Sequence, residues 1–316
     1  MSHETTTDRG TDSTYPFAKD PWYAKAVVLL FTIGPVLGLG YAIWSFWGHG
    51  VEAWHLLLLG ACWLVTGISI SVGFHRMLTH RSLVLRAPAR FVLLACASMA
   101  MQGPAADWAA THLRHHAKAD REGDPHSPLE GFWHAHMGWL LRDRFVRSGP
   151  AYEKLMEDPV TRFVTKTWYL WATLSLLIPA FIGLAITGTL VGFLQGILWG
   201  GLVRVALGHH ITWSVNSLGH MFGSRPFDSP DRARNNFFVA LVGWGEGWHN
   251  NHHAFPRAAF IGMRWYQVDM GAWLIRLLQA LGQVRKIVQP SPEEKKAKLV
   301  RSSSGAVAAV SLMAKK

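Results

Sequence analysis

Residues 53–80 read AWHLLLLGACWLVTGISISVGFHRMLTH, a long apolar run that ends, with no linker, on the histidine pair His75 and His80. At 1.5 Å of rise per residue, the part over roughly 53–74 is long enough to cross a hydrocarbon core of about 30 Å. Comparable runs occupy roughly 24–47, 167–187 and 191–213, which predicts an all-α integral membrane protein with four transmembrane helices in two hairpins. The links within the pairs, about Gly48 to Ala53 and Thr187 to Thr189, carry no Lys or Arg. By the positive-inside rule those links face away from the cytoplasm, so both termini and the central segment lie in it. A further apolar stretch, Phe91 to Met101, is about half the length a span needs and reads as a buried or interfacial helix. If it crossed, the histidines before and after it would be separated by the membrane.

Composition agrees with this reading. Charged residues make up 16% of the 316-residue chain, where a soluble domain carries about a quarter. The net charge of +11 comes with no basic stripe interleaved with aromatics, so a nucleic-acid partner is not indicated. Cys62 and Cys96 sit in apolar stretches and read as packing, with no disulfide framework. Residues 1–20 are polar, lack the apolar core of a signal peptide, and read as a flexible tail. Residues 21–285 form the membrane domain, and 286–316 read as a basic flexible tail able to lie on anionic headgroups.

The histidines are clustered: His75-Arg-Met-Leu-Thr-His80, His112-Leu-Arg-His115-His116 and His249-Asn-Asn-His252-His253, with Asn216-Ser-Leu-Gly-His220 as a partial fourth. On a helix, positions i, i+3 and i+4 share a face, so His112, His115 and His116 project together, as do His249, His252 and His253. His75 and His80 stand about 140° apart on an ideal α-helix. Either the helix ends there or the pair serves two metals. Imidazoles gathered at span ends would repel one another if protonated and would leave polar atoms unpaired if merely buried. Metal resolves both problems, and the number of histidines exceeds what one ion needs, which implies a dinuclear site in a cytoplasmic helical cap. Spacing alone does not choose iron over zinc.

In these boxes the chain resembles the membrane fatty acyl desaturases of the stearoyl-CoA desaturase type. The resemblance spans roughly residues 22–280 and takes in Gly123-Asp124-Pro125-His126, Arg225-Pro226-Phe227-Asp228 and Gly245-Glu246-Gly247-Trp248 beside the histidines. It implies two iron ions held by His75, His80, His112, His115, His116, His220, His249, His252 and His253, with Asn216 reaching one through water. It also implies a cis double bond placed nine carbons from the carboxyl of a saturated acyl chain.

Chemistry favours iron independently, because removing hydrogen from an unactivated methylene lies beyond any side-chain acid or base. Reducing O2 to two waters takes four electrons, of which the new double bond supplies two. The other two come from outside, since the chain carries no nicotinamide or flavin fingerprint. By analogy with the family, the donor is a haem protein or ferredoxin-like carrier with its reductase. Ligating histidines usually donate their second nitrogen to a carboxylate, and Asp124 and Glu246 are the leading candidates, with Asp107 and Asp120 behind them.

An acyl chain needs a dry, narrow channel past the metals. The resemblance places Gln102, Trp108, Thr212 and Trp213 beside its bend. Trp63, about 18 Å up the second span from His75, is read as capping the far end, with Gly67 one turn below leaving room. Vertebrate acyl-CoA enzymes carry a charged pair just before the second box, whereas Ala110 and Thr111 stand here. Arg142, Arg144 and Arg147 are then the candidates for head-group phosphates. Acyl-CoA is the favoured ester, with carrier-protein and glycerolipid esters open. A related di-iron hydroxylase shares the boxes. A membrane zinc hydrolase is disfavoured by the absence of HExxH, and a haem carrier would pair histidines inside opposing spans. The expected location is a bacterial inner membrane, with the metal site in the cytoplasm.

Overall fold

The computed structural model describes residues 14–300. Among the described residues, four helices are long and apolar enough to cross a membrane: Trp22–Ser45, Ala53–Thr79, Trp168–Thr187 and Leu190–Met221. The first is 17% buried over its most apolar window and the fourth 56%, so the first lies at the outside of the group and the fourth at its centre. Glycines let these helices approach closely, as small residues do where no hydrophobic effect separates helix from lipid. A Cβ at Gly38 would meet Leu202 at 2.6 Å, and one at Gly196 would fall on the Pro179 backbone. Gly188 turns the third span into the fourth in the left-handed conformation, φ 67°, and Thr189 caps the new helix by accepting from the Gly192 amide.

Two spans are not α-helical throughout. The second passes from α-helix at Ala53–Ser69 into π-helix at Ile70–Thr79, and the fourth carries a π-helical stretch at Ile197–Val203. The fourth span also runs on to Met221, past the expected end near 213, so Asn216 and His220 belong to the span itself.

The half-length apolar stretch forms the 12-residue helix Ala87–Ser98, too short to cross a hydrocarbon core of about 30 Å. It packs Leu93, Leu94 and Ala97 into a core with Ile70, Val72 and Phe74 from the π-helical segment. The helix Ala105–Lys118 follows and carries the second histidine box, while the short helix His249–Ala254 carries the third.

Three expectations need correction. The fold is mostly helical but not wholly so, because strand β1, Leu83–Leu85, pairs antiparallel with strand β2, Val284–Ile287. The C-terminal tail therefore does not begin at 286. Lys286 and Ile287 are in β2, Pro292–Ala297 is helical, and Leu299 bridges to Phe227, so the chain is tied to the body through Val300. At the other end, Phe17 bridges to Val146 and Asp20 pairs with Arg147, so the last residues of the expected N-terminal tail are also docked. Residues 1–13 and 301–316 lie outside the described residues.

Candidate metal centre

The histidine boxes meet in two adjoining groups. His75, His80, His112, His116 and His252 form one, and His115, His220, His249 and His253 the other, each offering one ligand atom within 4.8 Å of the rest. The π-helix explains the first pair. Its hydrogen bonds run i to i+5, as from the His80 amide to the His75 carbonyl at 3.1 Å, so residues five apart return to one face. The two rings are 4.8 Å apart, because the α-helix has already given way, the first of the two alternatives that the spacing left open.

The other two boxes share a face as expected but divide between the groups. His112 and His116, one turn apart, enter the first group while His115 enters the second. The third box reverses the pattern, with His249 and His253 in the second group and His252 in the first. The groups touch through His116 and His253, whose rings stack 4.4 Å apart.

The residues present suit metal ions. In the first group His75 Nε2 is 3.0 Å from His252 Nε2, which is 2.9 Å from His116 Nε2, and His116 Nε2 is 3.1 Å from His112 Nε2. In the second, His249 Nε2 lies 3.0 Å from His220 Nε2. Atoms about 3 Å apart are spaced as neighbouring ligands of one ion at about 2.0–2.1 Å would be. The buried Nε2 atoms of His80, His115 and His253 have no hydrogen-bond partner among the described residues. Burial first, then neighbouring imidazoles, hold the pKa values of His80, His112, His116, His249, His252 and His253 well below the ordinary value. Neutral imidazole is the form that binds metal.

The opposite ring nitrogens are held by acids. His75 Nδ1 meets Glu246 at 2.6 Å, His115 Nδ1 meets Asp124 at 2.9 Å, His220 Nδ1 meets Asp120 at 3.0 Å and His253 Nδ1 meets Asp231 at 2.7 Å. A proton donated from Nδ1 leaves the Nε2 lone pair facing the group, the tautomer a metal requires. Glu246 also accepts from Ser71 and pairs with Arg76 at 3.1 Å, and Arg76 pairs with Asp269 at 2.8 Å. Burial would raise the Glu246 carboxyl, but His75 and Arg76 outweigh it and hold it down at about 2. Burial likewise opposes ionisation of Asp124, and His115 overcomes it.

Asp124 and Glu246, expected behind the ligands, contact His115 and His75, and Asp120, ranked below them, contacts His220. Asp107 instead binds Arg147 at 2.8 Å, away from the ligands. Reasoning from the sequence missed Asp231, Ser71, Arg76 and Asp269. Asp231 lies just beyond the Arg225-Pro226-Phe227-Asp228 motif, a signal that marked the loop without choosing the acid.

A cavity of about 330 Å³ passes the first group, with His112 in its wall. Gln102, Trp108, Thr212, Trp213 and Asn216 line it, as do Arg147 and Lys166. Trp108 stacks on His112 at 5.1 Å and donates to Gln102 at 3.2 Å, and Gln102 donates to Thr212 at 2.8 Å. Trp63 and Gly67 line a separate small space that shares Gln102 with the cavity. The room expected at Gly67 is not free, because a Cβ there would fall inside the Trp244 indole. Arg142 and Arg144 do not line the cavity and pair with Glu130 at 2.9 and 3.1 Å.

Comparison with known proteins gives a consistent picture. A family model described as fatty acid desaturase matches residues 52–285. A hex-5-enoyl-[acyl-carrier protein] acetylenase of Moorena producens (strain JHB) is 37% identical, over 85% of this chain and 88% of that protein. An sn-1 stearoyl-lipid 9-desaturase of Anabaena variabilis is 39% identical over 70% of this chain and 78% of its own. An acyl-CoA C20 Delta5-desaturase of Anemone leveillei is 38% identical over 77% and 76% respectively.

Proposed function

The chain belongs to the fatty acid desaturase family, and from that premise we propose that it introduces a cis double bond, nine carbons from the carboxyl, into a saturated acyl-CoA. The observation that carries this reading is the apolar-walled cavity with His112 in its wall, which brings an acyl chain against the first histidine group. We assign two iron ions to the groups, the first to His75, His80, His112, His116 and His252, the second to His115, His220, His249 and His253, with Asn216 contributing through water. Iron there supplies the oxidising power, drawn from O2 and two external electrons, that unactivated methylenes require.

The chain's own residues position and protect. Trp108 and Gln102 fix the cavity wall beside His112, so a methylene is presented at one place along the chain. The carboxylates hold the imidazole rings in the ligating tautomer. Lys166 gives the cavity a cationic end, which suits the phosphates of coenzyme A, whereas Arg147 is engaged by Asp20 and Asp107, and Arg142 and Arg144 by Glu130. The absence of Lys and Arg from the links between paired spans supports a cytoplasmic metal site and cytoplasmic termini in a bacterial inner membrane. The electron donor is a haem protein or ferredoxin-like carrier with its reductase.

The test is turnover by purified, iron-loaded protein given stearoyl-coenzyme A, O2 and a ferredoxin with its reductase. An olefin with its bond at the ninth carbon is expected. A hydroxy acid would assign the hydroxylase reaction instead.

A further inference from the structure

Beyond Gln102 lies the second space, about 10 Å³, room for about one water molecule. Its walls include Trp63, Gly67, Gln102, Arg204 and Trp244. Gln102 belongs to both spaces, so a chain end that passes it in the main cavity comes next to the two indoles.

Trp244 is placed there under constraint. Its backbone is left-handed, φ 56°, a region that a bulky residue occupies only at a cost. It is 3% exposed, yet its indole N–H has no hydrogen-bond partner among the described residues. Its ring fills the notch at Gly67 on the second span, and the Trp63 ring packs against it with centroids 5.2 Å apart. Glycine at 244 would relieve the backbone and remove the unpaired N–H together. The chain carries the largest side chain instead, opposite a glycine that makes room for it.

We propose that Trp244, braced by Trp63, is the end wall of the acyl cavity and sets the longest chain the protein accepts. This rests on the acyl-substrate reading above. It moves the limit from Trp63 alone to a residue on the loop before the third histidine box, so the loop that delivers Glu246 to His75 also closes the cavity. The indole suits the task. It is stiff, flat and largely apolar.

The experiment measures binding of saturated acyl-coenzyme A thioesters of increasing even length to the full chain in nanodiscs, beside product chain length in an expressing host. Affinity rises about fourfold with each buried methylene until the chain meets the wall, then levels. In Trp244→Ala the break moves to longer chains by at least one step of the series, and the host's products lengthen with it. Trp63→Ala moves the break less, because Trp244 still stands. Should Trp244→Ala fail to fold, Trp244→Leu, which keeps an apolar contact at Gly67 but shortens the wall, is read in the same way. A break that stays in place in a folded variant overturns the proposal. A wild type that makes no olefin with a competent reductant, but whose break moves in Trp244→Ala, keeps the wall and discards the desaturase reading.

Discussion

The Nδ1 atom of His75 lies 2.6 Å from a carboxylate oxygen of Glu246, joining the end of the second span to the loop before the third box. Because Arg76 grips the same carboxylate and Asp269 grips Arg76, one buried chain of charges orients a ligand of the first group. Removing the carboxylate frees the ring and leaves Arg76 to Asp269 and the Ala259 carbonyl. Glu246→Ala should therefore lose metal affinity by about 10–100-fold and stability by about 1–3 kcal/mol. Metal content after graded chelation, read beside thermal unfolding, checks both.

Asp231 plays the matching part for the second group, with 2.7 Å to His253 Nδ1. Its other oxygen accepts from Ser229 at 3.0 Å and from the Ala233 amide, which ties the loop down. Asp231→Ala should lower metal affinity by about 10–100-fold while leaving metal in the first group. Mössbauer spectra of partly depleted protein would show one ferric environment lost before the other. Loss of both together would contradict independent holding.

Acid should unfold the metal-free protein through its histidines. His80, His112, His116, His249, His252 and His253 have folded pKa values depressed below 6.5, so the unfolded state binds more protons as pH falls through that value. Stability is then complete above about pH 6.5 and declines below it, by up to about 1.4 kcal/mol per group for each pH unit. The apparent melting temperature of chelated protein should drop between pH 7.5 and 5.5. A flat profile would show that these rings are not neutral and buried.

Arg204 sits 2% exposed inside the fourth span. Its guanidinium donates to the Met99 carbonyl at 2.8 Å, to the Gly200 carbonyl at 3.1 Å and to Ser175. It thereby closes the end of the half-length helix against the third and fourth spans. Arg204→Met removes this donor from Ser175 and from the Met99 carbonyl, which keep their own hydrogen bond at 2.6 Å, so the cost is about 1–3 kcal/mol in all. Melting of the variant should fall by several degrees with metal content unchanged, measured on one purified sample.

Spans and histidine boxes were legible because each is a local pattern: an apolar run is visible within its own segment, and so is the spacing of His112, His115 and His116. The division of those three between two groups was not, because it depends on where His252 and His253 arrive from another helix. The convergence of His75 with His80 was hidden for a different reason, since an α-helical wheel does not describe a π-helix. Asp231 and Trp244 act across long stretches of chain, on His253 and Gly67, and no spacing rule within their loops marks them. The pairing of β2 with β1 is equally non-local, which is why Lys286 and Ile287 read as tail.

The most direct test of the central claim is gas chromatography with mass spectrometry of the fatty acids of a desaturase-deficient host expressing this chain, beside the same host expressing His252→Ala. A new cis monounsaturated acid with its double bond at the ninth carbon, absent from the variant, is the predicted result. No new olefin from the wild-type chain, with a working electron donor demonstrated in the same cells, would contradict it.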